Sequence, residues 1–147
     1  MPPPSPRPQA CLFCAIVAGT ERATVVLDEP DLLGFLDVRP VFKGHMLLVP
    51  RVHVDTLLDL PPALHAPLLD AARRLAQASV DGLRAQGSFV AINNTVSQSV
   101  PHLHVHVVPR TKGDGLRGFF WPRTRYDDDE ASAYGARLAS ALPSPSA

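Results

Sequence analysis

The 147-residue chain lacks an excess of charge of either sign: Lys plus Arg and Asp plus Glu stand at 14 each. No global field therefore draws it to DNA, RNA or an anionic membrane, and an anionic ligand must be caught by a local site. It also lacks an apolar run long enough to cross a bilayer, and its opening Met-Pro-Pro-Pro-Ser-Pro-Arg-Pro has none of the apolar character of an export signal. The expectation is a cytoplasmic protein whose partners include neither a membrane nor a nucleic-acid polymer. Cysteine is scarce, and Cys11 and Cys14 sit too close together to staple a fold. That spacing in an intracellular chain reads as metal or redox chemistry. No internal repeat is visible.

What the chain does have is apolar content of 46%, enough for one hydrophobic core in one domain of this length. Residues 1–9 and 143–147 are too rich in proline and polar groups to order themselves and read as disordered tails, leaving a single domain over residues 10–142. Within it, residues 24–27 and 32–37 read as strands of a hairpin turning at Glu29-Pro30-Asp31. Further strands are expected over 46–49, 88–93 and 103–108. A long helix is expected over 62–86, started by Pro61-Pro62 and stopped by Gly87, with a second over 128–142. The pattern predicts an α+β domain: a five-stranded, mainly antiparallel sheet with one long helix and a C-terminal helix.

The segment around residue 104 carries the chemistry. His102, His104 and His106 alternate with Leu103, Val105 and Val107, so on a strand the imidazoles share one face and the aliphatics the other. Three of the chain's six histidines at that spacing are not a solvated polar face by chance. Alternate histidines can chelate one metal, or one of them can act as a nucleophile held by its neighbours. Spacing does not separate these readings. The nearby Asn93, Asn94, Gln98 and Ser99 are neutral donors that suit a phosphate more than a bare metal.

The segment His102-Leu103-His104-Val105-His106-Val107-Val108, preceded by Gln98-Ser99-Val100 and followed by Pro109-Arg110, resembles the signature of the histidine triad (HIT) superfamily. So do Cys11-Leu12-Phe13-Cys14-Ala15-Ile16-Val17, Phe35-Leu36-Asp37-Val38, Lys43-Gly44-His45 and Val49-Pro50-Arg51-Val52-His53, in the same order. The resemblance covers roughly residues 11–110. It implies a nucleotide hydrolase or nucleotidyl transferase in which His104 attacks the α-phosphorus of a purine nucleotide derivative and forms a nucleotidyl-histidine intermediate. His102 and His45 would orient or polarise the site, and His106 would contact phosphate or assist the leaving group. Ser99, Gln98 and one of Asn93 and Asn94 would steady phosphate oxygens, and Asp37 would accept the ribose hydroxyls. Family members are homodimers, so a homodimer is implied as well.

Cys11 and Cys14 have three readings: a redox pair, two buried small residues, or half of a zinc site; a redox pair would need a strand-to-helix setting that the preceding tail does not offer, and zinc is favoured. The resemblance to zinc-containing bacterial members points to His53 and His102 as the other two ligands of a structural site. Two features depart from the family pattern. The loop Asn93-Asn94-Thr95-Val96-Ser97 lacks the usual glycines, and residues 112–123 carry an unusual run, Gly118-Phe119-Phe120-Trp121-Pro122, between Arg117 and Arg123. That run reads as a loop packing on the core or a dimer partner, or as a border of the leaving group. The rival class is a nucleotide-binding regulator or zinc-held interaction module with little turnover. Within the enzyme class, a nucleoside phosphoramidase and a dinucleoside polyphosphate hydrolase differ only in leaving group.

Overall fold

The computed structural model describes residues 11–116 and 123–146. It divides into two compact units, Met1–Lys112 and Gly113–Ala147. In the first, helix α1 (Leu12–Ala18) precedes strands β1 (Val25–Asp28), β2 (Leu32–Leu36) and β3 (Met46–Pro50). Helix α2 (His65–Leu83) and strands β4 (Gly87–Ile92) and β5 (Val105–Arg110) complete it. The strands form one antiparallel sheet in the order β1-β2-β3-β5-β4. The second unit contains helix α3 (Glu130–Ala141), none of whose residues is buried. This is the α+β architecture expected, with all five strands and both expected helices present.

The sheet register sorts side chains onto two faces. On one, Leu48, Val105 and Val107 join Leu68, Ala71, Ala72 and Leu75 of α2 in the larger core cluster. The buried positions of α2 recur at helical spacing, so one stripe of the helix meets the sheet. Each wholly buried Leu or Val there contributes about 1.5–3 kcal/mol. On the other face Phe35 pairs with Leu47, Leu47 with His106, and His106 with Ala91. Here a smaller cluster of Phe13, Leu33, Phe35, Leu47 and Val49 buries α1 against the sheet. His106 thus continues an apolar row and faces the same side as α1.

Three boundaries differ from expectation. First, α1 has no counterpart in the sequence reading. Cys11 starts it, its Sγ accepting from Cys14 N at 3.4 Å, and Gly19 stops it with φ 78°. Second, α2 ends at Arg84 in the left-handed region (φ 57°), and Gly87 instead opens β4. A non-glycine in that conformation costs about 1–2 kcal/mol; the turn is held by Ala85, buried, whose N–H bonds Ser79 O at 3.2 Å. Third, β5 begins at Val105, so only His106 of the three alternating histidines lies in the strand. The pairing of β3 with β5 ends at Leu48 with Val105. Beyond it the Pro50 carbonyl is taken by the ring of His102, and Leu103 N–H bonds Val54 O.

Candidate active site and metal centre

His104 is buried, and its Nδ1 lies 2.7 Å from the carbonyl oxygen of His102. A carbonyl only accepts, so Nδ1 carries the hydrogen and Nε2 keeps a bare lone pair. Phe13 meets the ring edge-on at 5.0 Å, and His106 lies at 4.9 Å. The fold therefore presents one imidazole in the tautomer a nucleophile needs, with its plane fixed by packing.

His45 and His106 form a second chain of assigned hydrogens. Val41 N–H donates to His45 Nδ1 at 3.1 Å, so His45 carries its hydrogen on Nε2. That Nε2 lies 2.9 Å from His106 Nδ1, which must then accept, leaving His106 with its N–H at Nε2. Asp37 Oδ1 accepts from Arg39 N–H at 2.9 Å, and Oδ2 lies 3.7 Å from His45 Nε2. Burial, and then the neighbouring His104 and His45, push the pKa of His106 down to about 4 against a smaller opposing pull from Asp37. Burial lowers His45 as well, opposed by Asp37. Both rings are thus neutral near pH 7, consistent with one hydrogen each.

Two groups of side chains bring candidate metal-ligating atoms within 4.8 Å of one another: Cys11, Cys14, His53 and His102, and Asp37, His45 and His106. Hydrogen assignment separates them. In the second group the Val41 amide fixes a hydrogen on the very His45 nitrogen that a metal would need, so that group is built to hand hydrogens on. In the first, both histidines point bare nitrogens at the thiols. His102 Nε2–H donates to Pro50 O at 2.8 Å, and His53 Nε2–H to Asp55 Oδ1 at 2.9 Å. Their Nδ1 atoms then face Cys11 and Cys14 Sγ at 3.5 Å and Cys14 Sγ at 3.2 Å. Sulfur and nitrogen bound to one tetrahedral zinc are separated by about 3.6 Å. Burial and the adjoining Cys11 push the Cys14 thiol up, which a bound cation would reverse. This donor set fits zinc, with Asp55 orienting His53 from behind.

The second group borders a cleft of about 540 Å³, the size of a small-molecule site, through Asp37 and His106. His104, His106, Asp37 and Ser99 line it, and so do Leu12, Phe13 and Ile16 of α1 and the largely exposed Val38. His102 does not; both of its nitrogens are engaged elsewhere, and it acts on the cleft through its carbonyl. The side chain of Asn94 accepts from Leu57 N–H, while Gln98 donates to Asp55 O and accepts from Thr95 N–H, so these two bind loop backbone. The loop they brace holds Thr95 and Ser97 at φ 68° and 61°, the left-handed conformation usually given to glycine. Sequence reasoning missed the apolar wall of the cleft. Its signal was the Phe13/Ile16/Val17 spacing between Cys11 and Gly19. Residues 117–122 of the unusual aromatic run lie outside the described residues.

The sheet with α1 on one face and paired histidines at a cleft defines a histidine triad protein. The HIT domain family model matches residues 18–113, and the chain belongs to the HIT family. It is 36% identical to an uncharacterised HIT-like protein of Mycobacterium tuberculosis over 90% of this chain and 92% of that one. A zinc-bound histidine triad family protein of Mycobacterium smegmatis superposes with a TM-score of 0.70 at 38% identity, covering 90% of this chain and 98% of that one. An adenosine 5′-monophosphoramidase of Schizosaccharomyces pombe is 27% identical over 90% of this chain and 98% of that protein.

Proposed function

We propose that the chain is a nucleotide hydrolase or nucleotidyl transferase acting at the α-phosphate of a purine nucleotide derivative. The observation that carries this is the 2.7 Å bond from His104 Nδ1–H to His102 O, which directs the ring's lone pair to Nε2 beside the cleft. Its lone pair attacks the α-phosphorus, an Nε2–P bond forms, and the bond from phosphorus to the leaving group breaks. His106, with its N–H at Nε2, donates a hydrogen bond to the developing charge, and Ser99 does the same from the loop. The departing group takes up one proton from solvent; water then displaces the ring and returns one proton to solvent, while the electron pair of the N–P bond returns to Nε2. In this reading Leu12, Phe13, Ile16 and Val38 clasp the base, and Asp37 Oδ2 accepts a ribose hydroxyl.

Cys11, Cys14, His53 and His102 would hold a structural zinc. The ion would supply tetrahedral cross-linking of two thiolates and two imidazoles, tying α1 to the segment that carries the nucleophile. A homodimer completes the proposal. Leu57, Leu69 and Val90 are exposed around an apolar groove between α2 and β4, and β4 is the last strand of the sheet among the described residues. Sedimentation of the purified protein reads this directly.

The enzyme reading is tested by replacing His104 with Ala and assaying adenosine and guanosine 5′-phosphoramidates beside dinucleoside polyphosphates. Turnover lost with nucleotide binding retained supports it. No turnover by the unmodified protein on any of these substrates refutes it.

A further inference from the structure

At the end of the cleft away from the histidines, two charged side chains replace the apolar wall. A neighbouring hollow, lined also by Gly19, Thr24 and Val25, shares Ile16, Glu21, Arg22 and Val38 with the cleft but none of its histidines. Glu21 and Arg22 therefore sit where the two hollows meet, beside Ile16 and Val38 of the apolar wall. Their position is fixed by the stop of α1: Gly19 turns left-handed, and Thr20 and Glu21 N–H both bond Ala15 O, at 3.0 and 3.2 Å. Among the described residues neither Glu21 nor Arg22 takes part in an ion pair. A carboxylate and a guanidinium, both solvent-exposed, thus border the cleft beside its apolar residues.

We propose that Glu21, assisted by Arg22, reads the outer edge of the base and makes this chain prefer guanine nucleotides over adenine nucleotides. The inference rests on the function proposed above. With the α-phosphate at His104 and the base held between α1 and Val38, the edge of the base farthest from the sugar meets Glu21. Guanine presents two adjacent donors there, N1–H and N2–H, which match the two oxygens of a carboxylate. It also presents the O6 acceptor, which a guanidinium donates to. Adenine presents the N6 donor beside the N1 acceptor, so a carboxylate gains one hydrogen bond and faces one lone pair. Because Glu21 and Arg22 are exposed, water compensates part of a mismatch and the preference amounts to about one hydrogen bond.

The test is calorimetric binding of GMP, IMP and AMP to the full chain, with kcat/KM for guanosine and adenosine 5′-phosphoramidates measured in parallel. GMP is expected to bind about tenfold more tightly than AMP, with IMP, which lacks N2–H, between them. Glu21→Ala should bring the GMP to AMP ratio within about twofold, and Glu21→Gln, which keeps one acceptor, should retain part of the preference. Equal binding of GMP and AMP by the unmodified protein overturns the inference, as does a preference that survives Glu21→Ala. In either case the His104 reading stands if the nucleotides bind and turn over. If none of the three nucleotides binds, that reading falls together with this one.

Discussion

The carbonyl oxygen of His102 accepts the Nδ1 hydrogen of His104 at 2.7 Å, while the ring of His102 points the opposite way, at the thiols of Cys11 and Cys14. One residue thus touches both places, by its backbone on the candidate nucleophile His104 and by its side chain on the thiols of the candidate metal centre. Long-range proton–nitrogen NMR of histidine-labelled protein should show hydrogen on Nδ1 of His104 and on Nε2 of His45, His102 and His106. Hydrogen on Nε2 of His104 would disarm the nucleophile and refute this arrangement.

Asp55 holds His53 through Nε2 at 2.9 Å and itself touches neither thiol. Asp55→Ala is expected to weaken zinc affinity by about 10–100-fold, read by competition with a chromogenic chelator. Complete removal of metal should lower nucleotide affinity and raise amide exchange over residues 12–18, because Leu12, Phe13 and Ile16 are both part of α1 and the wall of the cleft. Unchanged exchange in α1 after removal would show that the ion does not secure it.

Gly44 adopts φ +94° immediately before His45, and a Cβ there would come within 2.4 Å of Leu83 Cδ1. Leu83 is 57% exposed, so its tip can swing away, and the backbone conformation is the larger cost. Gly44→Ala should destabilise by about 1–2 kcal/mol in urea unfolding. Adding Leu83→Ala should recover little of that. Full recovery would mean that the close contact, not the backbone, is what requires glycine.

His106 titrates near 4 in the fold against 6.5 when free. Between those values the unfolded chain binds more protons than the native one, so stability rises with pH across this window and falls as pH drops through it. From pH 7 to pH 4.5 the loss assignable to His106 is roughly 2 kcal/mol. Unfolding of the unmodified protein and His106→Gln at both pH values isolates it from acid loss of metal. The variant should lose less on acidification by about that amount, and equal losses would refute the assignment.

Turn signals and runs of apolar residues placed all five strands, and helical spacing placed α2; β2 and β3 are buried on both faces, so there the apolar run and its bounding turns carried the signal. The seven-residue α1 escaped notice because its start is a cysteine, a poor mark of a helix beginning, and its length gives less than two full periods. Gly87 misled as a helix stop, since Arg84 takes the left-handed position with Ala85 docked behind it. The carbonyls of Pro50 and His102, which decide two imidazole tautomers, belong to the backbone and leave no trace in residue identity. Asn94 and Gln98 have the chemistry of phosphate ligands, and their side chains also brace a glycine-free loop whose backbone is left-handed at Thr95 and Ser97, a role that residue type does not announce. The four residues of the candidate metal centre came together as the resemblance implied, although their separation in sequence, from Cys11 to His102, gives no distance by itself.

The most direct measurement is intact-protein mass spectrometry of the unmodified chain and His104→Ala, quenched in alkali during turnover of a nucleoside 5′-phosphoramidate. The unmodified chain should carry one nucleotidyl group, on His104, labile to acid, and the variant should carry none. Turnover without any adduct at short times under saturating substrate, or an adduct on another residue, would contradict His104 as the nucleophile.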